Sequence, residues 1–348
     1  NLAKSVVAAR PLKKGETITD DMLVVKSPGR GLQPNRREEL IGRTLRRDMK
    51  EGDPFYLSDL LATPPVARDF RFKRPWGVPV RFHDFKEMLE KTNPDLLEFH
   101  MSYRDLERDP AEFCEGTYDI GLAVHAVETF ANDRIMDLAS PDPAYRAESI
   151  KNLERCVAQA RALAKFFPKT ERPFLILNAG GFTKHTPLKA EERAAYYARV
   201  AESLAEADTD GVEVIIQTMP PYPWLLGGQM FHNLFLDPED TAKFCKENGY
   251  RVCLDVSHSH LAGNHLGRTM TEYVQHLGPY IAHMHLVDGG GVTEEGLQVG
   301  DGTVDWKQLA YELSRGAPNA SFIPEIWQGH ENGGEGFWLA LGRLEKWF

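Results

Sequence analysis

Short apolar runs alternate with longer amphipathic segments from about residue 76 to the C-terminus, which is typical of βα units. Eight runs are predicted to be buried strands: Val78–Phe82, Leu96–His100, Ile120–His125, Phe174–Asn178, Val212–Gln217, Arg251–Asp255, Tyr280–His285 and Ser321–Glu325. Eight units over about 270 residues match a closed (β/α)8 barrel. An open doubly wound sheet is the alternative, but no Gly-rich dinucleotide fingerprint comes after the first run. We therefore predict a (β/α)8 TIM barrel, class α/β, over residues 76–348.

The first 60 or so residues carry a different pattern, in which Leu12–Ile18 recurs as Met49–Phe55 around a central glycine. A Gly- and Pro-rich loop, Ser27–Pro34, separates the two copies and excludes regular structure there. The pattern predicts a small β-rich domain over residues 1–61, followed by a Pro-containing linker over residues 62–75.

Every predicted barrel strand ends in a polar or ionisable residue or, for the first strand, is followed directly by one, His83. Seven of the twelve histidines lie at or just after these ends: His83, His100, His125, His258, His260, His283 and His285. Active sites of such barrels lie at the C-terminal ends of the strands. A single histidine there would more often be a hydrogen-bonded core residue. A ring of imidazoles and carboxylates, however, would cost several kcal/mol per unpaired charge without compensation. We therefore predict a divalent cation at this end of the barrel.

Strand alternation refines the set of candidate ligands. His283 and His285 share one face of their strand, and His285, nearer the exit, is the better ligand. Asp255 ends its strand, and His258 is expected three residues further on in a loop, within reach of a ligand or substrate. His260 and His265 are also expected to lie in that loop.

Three further segments offer contacts to a polar substrate. Asp301 lies in a Gly-rich acidic segment, Gly300–Trp306, which could close over the pocket or form only a turn and a helix N-cap. Trp327 could stack on a sugar ring. The remaining predicted substrate-binding residues are strand-end side chains: His100, His125 and Asn178.

Charge and composition exclude several classes of protein. The formal charge is −10, which argues against a nucleic-acid partner because such affinity depends on Lys and Arg. Nothing approaches the roughly 18 consecutive apolar residues of a membrane span, so no membrane partner is expected. The four cysteines lack a CxxC spacing, which fits buried thiols in the cytoplasm. The chain opens at Asn1 rather than Met, which is compatible with a fragment of a longer protein.

The barrel resembles the xylose-isomerase-like superfamily of sugar isomerases, epimerases and apurinic endonucleases. The motifs that carry the resemblance are His125-Ala126, Leu254-Asp255 with His258, His285 with Asp288, and Gly-Asp-Gly-x-Val-Asp-Trp over residues 300–306. In the epimerases, Glu, Asp, His and Glu from strands five to eight hold one metal. By position, the resemblance implies Gln217, Asp255, His285 and Glu325 as ligands here.

Gln217 departs from that family pattern, because the epimerases have a carboxylate there that binds metal and moves protons. Three anionic ligands around a divalent ion would give the site a net charge of −1. With the neutral Gln217 in place of one of them, the net charge is zero. The endonucleases have His where Asn178 stands, so their three-metal cluster would be incomplete.

The N-terminal domain resembles the antifreeze-like (SAF) domain of sialic acid synthases. The resemblance rests on Val25–Gly31, at the family's Pro-Gly-x-Gly loop, and on Leu40–Gly42 in the following helix. It implies that the chain is the C-terminal part of an N-acetylneuraminate synthase-related protein, and that it forms a homodimer.

The leading hypothesis is a metal-dependent sugar isomerase or epimerase acting on a small sugar or sugar acid in sialic (nonulosonic) acid biosynthesis. The predicted catalytic residues are Glu325 as base, His258 as a second proton donor and Gln217. Mixed imidazole and carboxylate ligands suit Zn, Mn, Co or Mg. The alternative is a non-catalytic sugar-binding or regulatory module of a fused synthase. A hydrolytic endonuclease or lyase is the third possibility.

Overall fold

A computed structural model describes residues 4–348, so the first three residues of the predicted N-terminal domain lie outside the described range. The chain divides into two compact units. One contains the residues up to Arg68 together with residues 326–342, and the other contains residues 69–325 and 343–348.

The smaller unit contains an antiparallel strand pair, Ser5–Ala8 and Leu23–Lys26. The two repeat copies lie side by side, since Leu12 forms an antiparallel bridge with Met49. Gly15 and Gly52, at the centre of each copy, have φ of 93° and 85°, a conformation that favours glycine. The apolar side chains of both copies form one buried core that includes Val6, Leu12, Ile18, Leu40, Leu45, Met49 and Phe55.

The larger unit is built on an eight-stranded parallel sheet whose order is that of the chain. Its strands are Gly77–Val80, Leu96–His100, Gly121–His125, Phe174–Leu177, Glu213–Gln217, Arg251–Asp255, Ile281–His285 and Ser321–Ile323. A parallel bridge between Trp76 and Phe322 joins the last strand to the start of the first. The predicted (β/α)8 barrel is therefore confirmed, with all eight predicted strands present.

Helices and short hairpins connect the barrel strands. The α-helices of the chain are Leu57–Leu60, Phe85–Lys91, Pro143–Ala164, Ala190–Glu206, Pro238–Asn248, Val256–Leu266, Met270–Leu277, Trp306–Gly316 and Glu331–Leu344. The 3-10 segments are Asp20–Met22, Pro34–Leu40, Asp105–Glu107, Pro110–Glu112, Ala131–Asp133 and Gly278–Tyr280. The short paired strands are Thr129–Phe130 with Arg134–Ile135, Phe182–Thr183 with Phe231–His232, Trp224–Leu225 with Gly228–Gln229, and Asp288–Gly290 with Glu294–Leu297. Between the second and third barrel strands, the described chain has two 3-10 turns in place of an α-helix.

The barrel interior changes from apolar to polar toward the strand exits. One buried cluster contains Leu96, Ala123, Ile176, Ile215, Cys253 and Ile323. Side chains on a strand return to the same face every second residue. The residues two positions further on are Glu98, His125, Asn178, Gln217, Asp255 and Glu325. The fold therefore places an apolar layer directly beneath a ring of polar groups.

Candidate active site

His285 lies at the centre of the polar ring and is fully buried. Its Nδ1 atom is 2.6 Å from Glu325 Oε2, 3.5 Å from Asp255 Oδ2 and 3.3 Å from the Gln217 amide. The structure thus brings all four predicted metal ligands together at one imidazole nitrogen.

Strand register explains this convergence. Asp255 pairs with His285 across two neighbouring parallel strands, and His285 pairs with Ile323 on the other side. Glu325 comes two residues after Ile323 and therefore points to the same face. Gln217 pairs with Cys253, two residues before Asp255.

Glu98 lies on the opposite side of the His285 ring and contacts three imidazoles. Its Oε1 atom is 3.1 Å from His285 Nε2 and 2.7 Å from His100 Nε2, and its Oε2 atom is 2.8 Å from His283 Nε2. Glu98 and His283 are fully buried. The other ring nitrogen of His283, Nδ1, is 2.7 Å from Ser321 Oγ. One carboxylate therefore serves as the common acidic partner of three histidines.

The electrostatics of the cluster favour ionised carboxylates beside a cationic His285. Burial alone would raise the pKa of Glu98, but His285, His100 and His283 outweigh it and hold that pKa well below its usual range. Burial likewise opposes ionisation of Glu325, yet His285 keeps its pKa low. The pKa of His285 is raised well above its usual value, because Cys253, Glu325 and Glu98 together outweigh burial. Burial lowers the pKa of both His100 and His283, so these two rings are neutral near pH 7.

Two overlapping groups in the described residues have the composition and spacing to hold a metal ion. One consists of Glu98, His283 and His285, and the other of His125, His285 and Glu325. Imidazole and carboxylate ligands of this kind suit first-row divalent ions. Both groups include His285.

Two of the predicted substrate-binding residues, His100 and His125, lie in the cluster, and a third, Asn178, directly follows the fourth barrel strand. His100 stacks on His125 with ring centroids 4.8 Å apart, and its Nδ1 is 3.6 Å from Glu325 Oε1. His125 Nε2 is 3.1 Å from the Gln217 amide. Asn178 donates from Nδ2 to Glu128 Oε1 over 3.3 Å.

His258 lies in a helix, so the prediction of a loop position for it was wrong. Val256–Leu266 is helical, and Asp255 is its N-cap, accepting the backbone N–H of His258 at 2.8 Å. An aspartate that ends a strand can cap an immediately following helix, which removes the expected loop. The same helix contains His260 and His265, which were also expected in a loop.

The ring of His258 contacts groups on several elements. Its Nδ1 is 3.0 Å from Thr218 O and 3.6 Å from Asp255 Oδ2, while Nε2 is 3.8 Å from Glu295 Oε2. Burial would lower the pKa of His258, but Asp255 and Glu295 raise it. Burial raises the pKa of Glu295 itself. His258 thus lies between two carboxylates, those of Asp255 and Glu295.

Asp301 pairs with a residue outside the histidine–carboxylate cluster, and Trp327 is largely exposed. Asp301 Oδ1 forms an ion pair with Arg343 Nη1 at 2.7 Å. The Trp327 side chain is 64% exposed. Their predicted role in substrate binding stays a prediction.

Two acidic residues of the site, Glu98 and Glu295, were not among the predicted site residues. Glu98 precedes His100 by two residues, and strand alternation therefore already indicated that both face the barrel interior. Glu295 lies on the hairpin of Asp288–Gly290 and Glu294–Leu297, within a Gly-rich segment whose fold no sequence signal indicated.

Fold and site together define the protein as a (β/α)8 barrel with a histidine–carboxylate cluster at the strand exits. The chain belongs to the xylose isomerase-like TIM barrel family, whose model matches residues 84–342. The SAF domain model matches residues 3–61, so the resemblance of the N-terminal residues to a SAF domain is confirmed.

Curated relatives match only part of the chain. One uncharacterized protein of Methanocaldococcus jannaschii is 23% identical over 120 residues, which cover 34% of this chain and 38% of that protein. Another from the same organism is 38% identical over 58 residues, or 17% of each. The matched regions thus span well under half the length of these two relatives.

Solved structures of sugar epimerases share the fold. A D-tagatose 3-epimerase-like protein is 18% identical with a TM-score of 0.53, covering 78% of this chain and 98% of its own. A 3-keto-D-glucoside 4-epimerase from E. coli is 15% identical with a TM-score of 0.54, covering 78% and 99%. A D-psicose 3-epimerase is 15% identical with a TM-score of 0.51, covering 78% and 95%. At these identities the likeness concerns the fold.

Proposed function

We propose that the barrel is a metal-dependent sugar isomerase or epimerase that moves a proton on the carbon beside a metal-polarised carbonyl or hydroxyl. The observation that carries the proposal is the convergence of Glu325, Asp255 and Gln217 on His285 Nδ1. The family membership of the chain and the fold it shares with sugar epimerases agree with this chemistry.

The donor set fits a divalent cation. Two ionised carboxylates close to one another in a buried site need a compensating positive charge, and a divalent cation would replace the single charge that protonated His285 supplies. Asp255, Glu325 and His285 would hold the ion, with Gln217 as a neutral oxygen ligand and Zn, Mn, Co or Mg as candidates.

The hydrogen bonds of His125 indicate which end of the Gln217 amide faces His285. His125 Nδ1 lies 2.9 Å from Ala126 O, so a neutral ring carries its proton there and donates it to that carbonyl. His125 Nε2 is then an acceptor, and its partner on Gln217 should be the amide N–H. Amide oxygen and nitrogen are assigned from such networks. This orientation turns the Gln217 oxygen toward His285 Nδ1, as a ligand requires.

The chain's own groups divide the proton transfer between them. The cation, when bound, withdraws electrons from a carbonyl or hydroxyl and makes the adjacent C–H more acidic. Glu325, which is ionised and fixed near a rigid strand, is the base that removes that proton. Gln217 cannot titrate, so transfer by Glu325 alone on one face, as in aldose–ketose isomerisation, is favoured. His258, with Glu295 beside it, is the residue that could supply a proton to the other face.

Incubation with candidate sugars in deuterated water tests the proposal. The sugars are acylamino-aldoses, simple ketoses and their sugar acids, each with added Mn²⁺, Co²⁺, Zn²⁺ or Mg²⁺. We expect deuterium at the carbon next to the carbonyl of one substrate, and no label with Glu325→Gln. Absence of label in every sugar with a chain shown by elemental analysis to be metal-loaded would contradict the proposal.

The N-terminal domain supports a role in sialic (nonulosonic) acid biosynthesis. The SAF domain model matches residues 3–61, and the resemblance to sialic acid synthases suggests a sugar or sugar-acid substrate and a homodimer. All four cysteines are unpaired and buried, which fits the cytoplasm. No helix within residues 4–348 is long and apolar enough to cross a bilayer. Mass measurement of the native chain tests the dimer.

A non-catalytic sugar-binding module is the second candidate, and Gln217 favours it. An amide at the position of a proton-transferring carboxylate is what a barrel would have if it kept the pocket but lost turnover. A sugar that binds to the metal-loaded chain but acquires no deuterium would identify this function.

A further inference from the structure

Glu98 has no part in the proposed proton transfer, yet it is the most enclosed acidic group of the cluster. Its side chain is fully buried, and its two oxygens lie 2.7 to 3.1 Å from the Nε2 atoms of His100, His283 and His285. An ionised carboxylate only accepts hydrogen bonds. An imidazole that faces it through Nε2 is therefore stabilised with its proton on Nε2.

His285 makes the best-aligned of these contacts. Its Nε2–H donates to Glu98 Oε2 over 3.3 Å. Its Nδ1 faces Glu325, Asp255 and Gln217 on the opposite side. The ring thus separates two acidic environments that hold a proton on each nitrogen of the cationic ring. The nitrogen that gives up its proton is the one that can offer a lone pair to a cation.

We propose that Glu98 is a positioning residue that holds a proton on Nε2 of His285, so that Nδ1 is the nitrogen that loses its proton and binds a cation. A carboxylate behind a metal-bound histidine fixes the tautomer and the ring orientation, and its loss typically costs 10–100-fold in metal affinity. The cation-binding part rests on the proposed function, whereas the proton that Glu98 holds on Nε2 does not depend on it.

An inner cation is the competing arrangement. Glu98, His283 and His285 could hold an ion themselves, and the approaches of His100 Nε2 and His283 Nε2 to Glu98 are close but not aligned as hydrogen bonds. A neutral imidazole binds an ion through one nitrogen only, so the two placements on His285 exclude each other. The outer placement neutralises two carboxylates, Asp255 and Glu325, whereas the inner one neutralises only Glu98. This charge balance favours the outer placement.

Nitrogen NMR of the histidine side chains tests the proposal on the unaltered chain. The His285 signals are assigned with His285→Gln, first without metal and then with Zn²⁺, which is diamagnetic. We expect Nε2 to stay protonated and the Nδ1 resonance to move when Zn²⁺ binds. Coordination through Nε2, or a neutral His285 with its proton on Nδ1, would overturn the proposal.

Metal affinity gives an independent readout. Glu98→Gln should weaken Zn²⁺ and Mn²⁺ binding about 10–100-fold in a chelator competition, at an unchanged stoichiometry. The matched control is Glu213→Gln, which makes the same change at the start of a barrel strand, where Glu213 pairs with Arg251. It should leave affinity within twofold of the unaltered chain. Asp255→Asn, which removes a proposed ligand, should cost more than Glu98→Gln.

The other outcomes overturn the proposal. If Glu98→Gln leaves affinity within twofold, Glu98 does not position the ligand. If Glu98→Gln and His283→Asn both abolish binding while Asp255→Asn retains it, the inner placement is correct. If the unaltered chain binds no metal, the proposed function fails, and the NMR spectrum without metal still decides whether Nε2 of His285 carries a proton. Should Glu98→Gln not fold, the Zn²⁺-induced shift of the unaltered chain decides alone.

Discussion

The indole Nε1–H of Trp306 donates to Asp288 Oδ2 over 2.7 Å, although 18 residues separate them. Asp288 also accepts the backbone N–H groups of Gly289, Gly300 and Val304 at 2.8 to 3.2 Å. A fully buried carboxylate with four donors organises the whole segment after the seventh barrel strand. That segment includes the hairpin that places Glu295 beside His258.

Trp306→Phe should destabilise the chain by about 1.5–3 kcal/mol, because it removes a donor from a buried charged acceptor. The measurement is the free energy of unfolding in urea. Trp224→Phe is the matched control, since Trp224 is 69% exposed and its replacement should change stability by no more than about 0.5 kcal/mol. Equal effects of the two substitutions would show that the bond to Asp288 adds nothing to stability.

The sequence predicted the barrel and the convergence of its strand ends, because strand periodicity and barrel closure dictate both. Asp255, His285 and Glu325 could be placed together for that reason alone. The segments after the strands were harder to predict. Asp255 both ends a strand and caps the next helix, so His258 was assigned to a loop. Glu295 depends on the hydrogen bonds of Asp288, which connect positions too distant in the sequence for any local pattern to indicate.

Gln217→Glu should raise the affinity for Mn²⁺ at least about tenfold. It adds a third carboxylate to Asp255 and Glu325, and a charge about 4 Å from a divalent ion is worth several kcal/mol before desolvation. The same charge should destabilise the metal-free chain through repulsion. Chelator competition and urea unfolding measure the two effects. A weaker affinity than that of the unaltered chain would argue that Gln217 is not near the ion.

Deuterium incorporation by the unaltered chain and by Gln217→Glu distinguishes an enzyme from a binding module. If the barrel is an isomerase that works through Glu325, the unaltered chain already incorporates deuterium into a substrate. If it is a binding module, neither the unaltered chain nor Gln217→Glu does so, although the variant binds metal more tightly.

Removal of metal should lower the thermal midpoint of the chain. An ion that binds only the folded state stabilises it by about 2.7 kcal/mol when its concentration is 100 times Kd. Scanning calorimetry with EDTA and with excess Mn²⁺ measures the difference. Asp255→Asn should abolish most of it, whereas Asp301→Asn, which disrupts an ion pair with Arg343, should retain it. A midpoint independent of metal in the unaltered chain would contradict a folded-state cation site.

His232 should make the chain less stable in acid. His232 is 3% exposed, and the centroid of its ring lies 4.1 Å from that of Phe182. Neither ring nitrogen has a hydrogen-bond partner in the described part of the chain. Burial, with a smaller contribution from His258, lowers the pKa of His232 to about 3. Between that value and its ordinary 6.5, the unfolded chain binds a proton that the folded chain does not. Stability must therefore fall as the pH falls, by up to about 1.4 kcal/mol per pH unit from this residue.

His232→Leu keeps a similar side-chain volume and removes the titrating group. The free energy of unfolding of the unaltered chain and of the variant should be compared by urea titration from pH 7 to pH 4. We expect the stability of the variant relative to the unaltered chain to rise steadily as the pH falls below about 6.5. The reason is that only the unaltered chain has a histidine here, which binds a proton in the unfolded state but not in the folded state. Other buried histidines titrate alike in both chains and cancel in the difference. A difference that does not change with pH would show that His232 can be protonated in the folded protein, and hence that water or a polar partner reaches its ring.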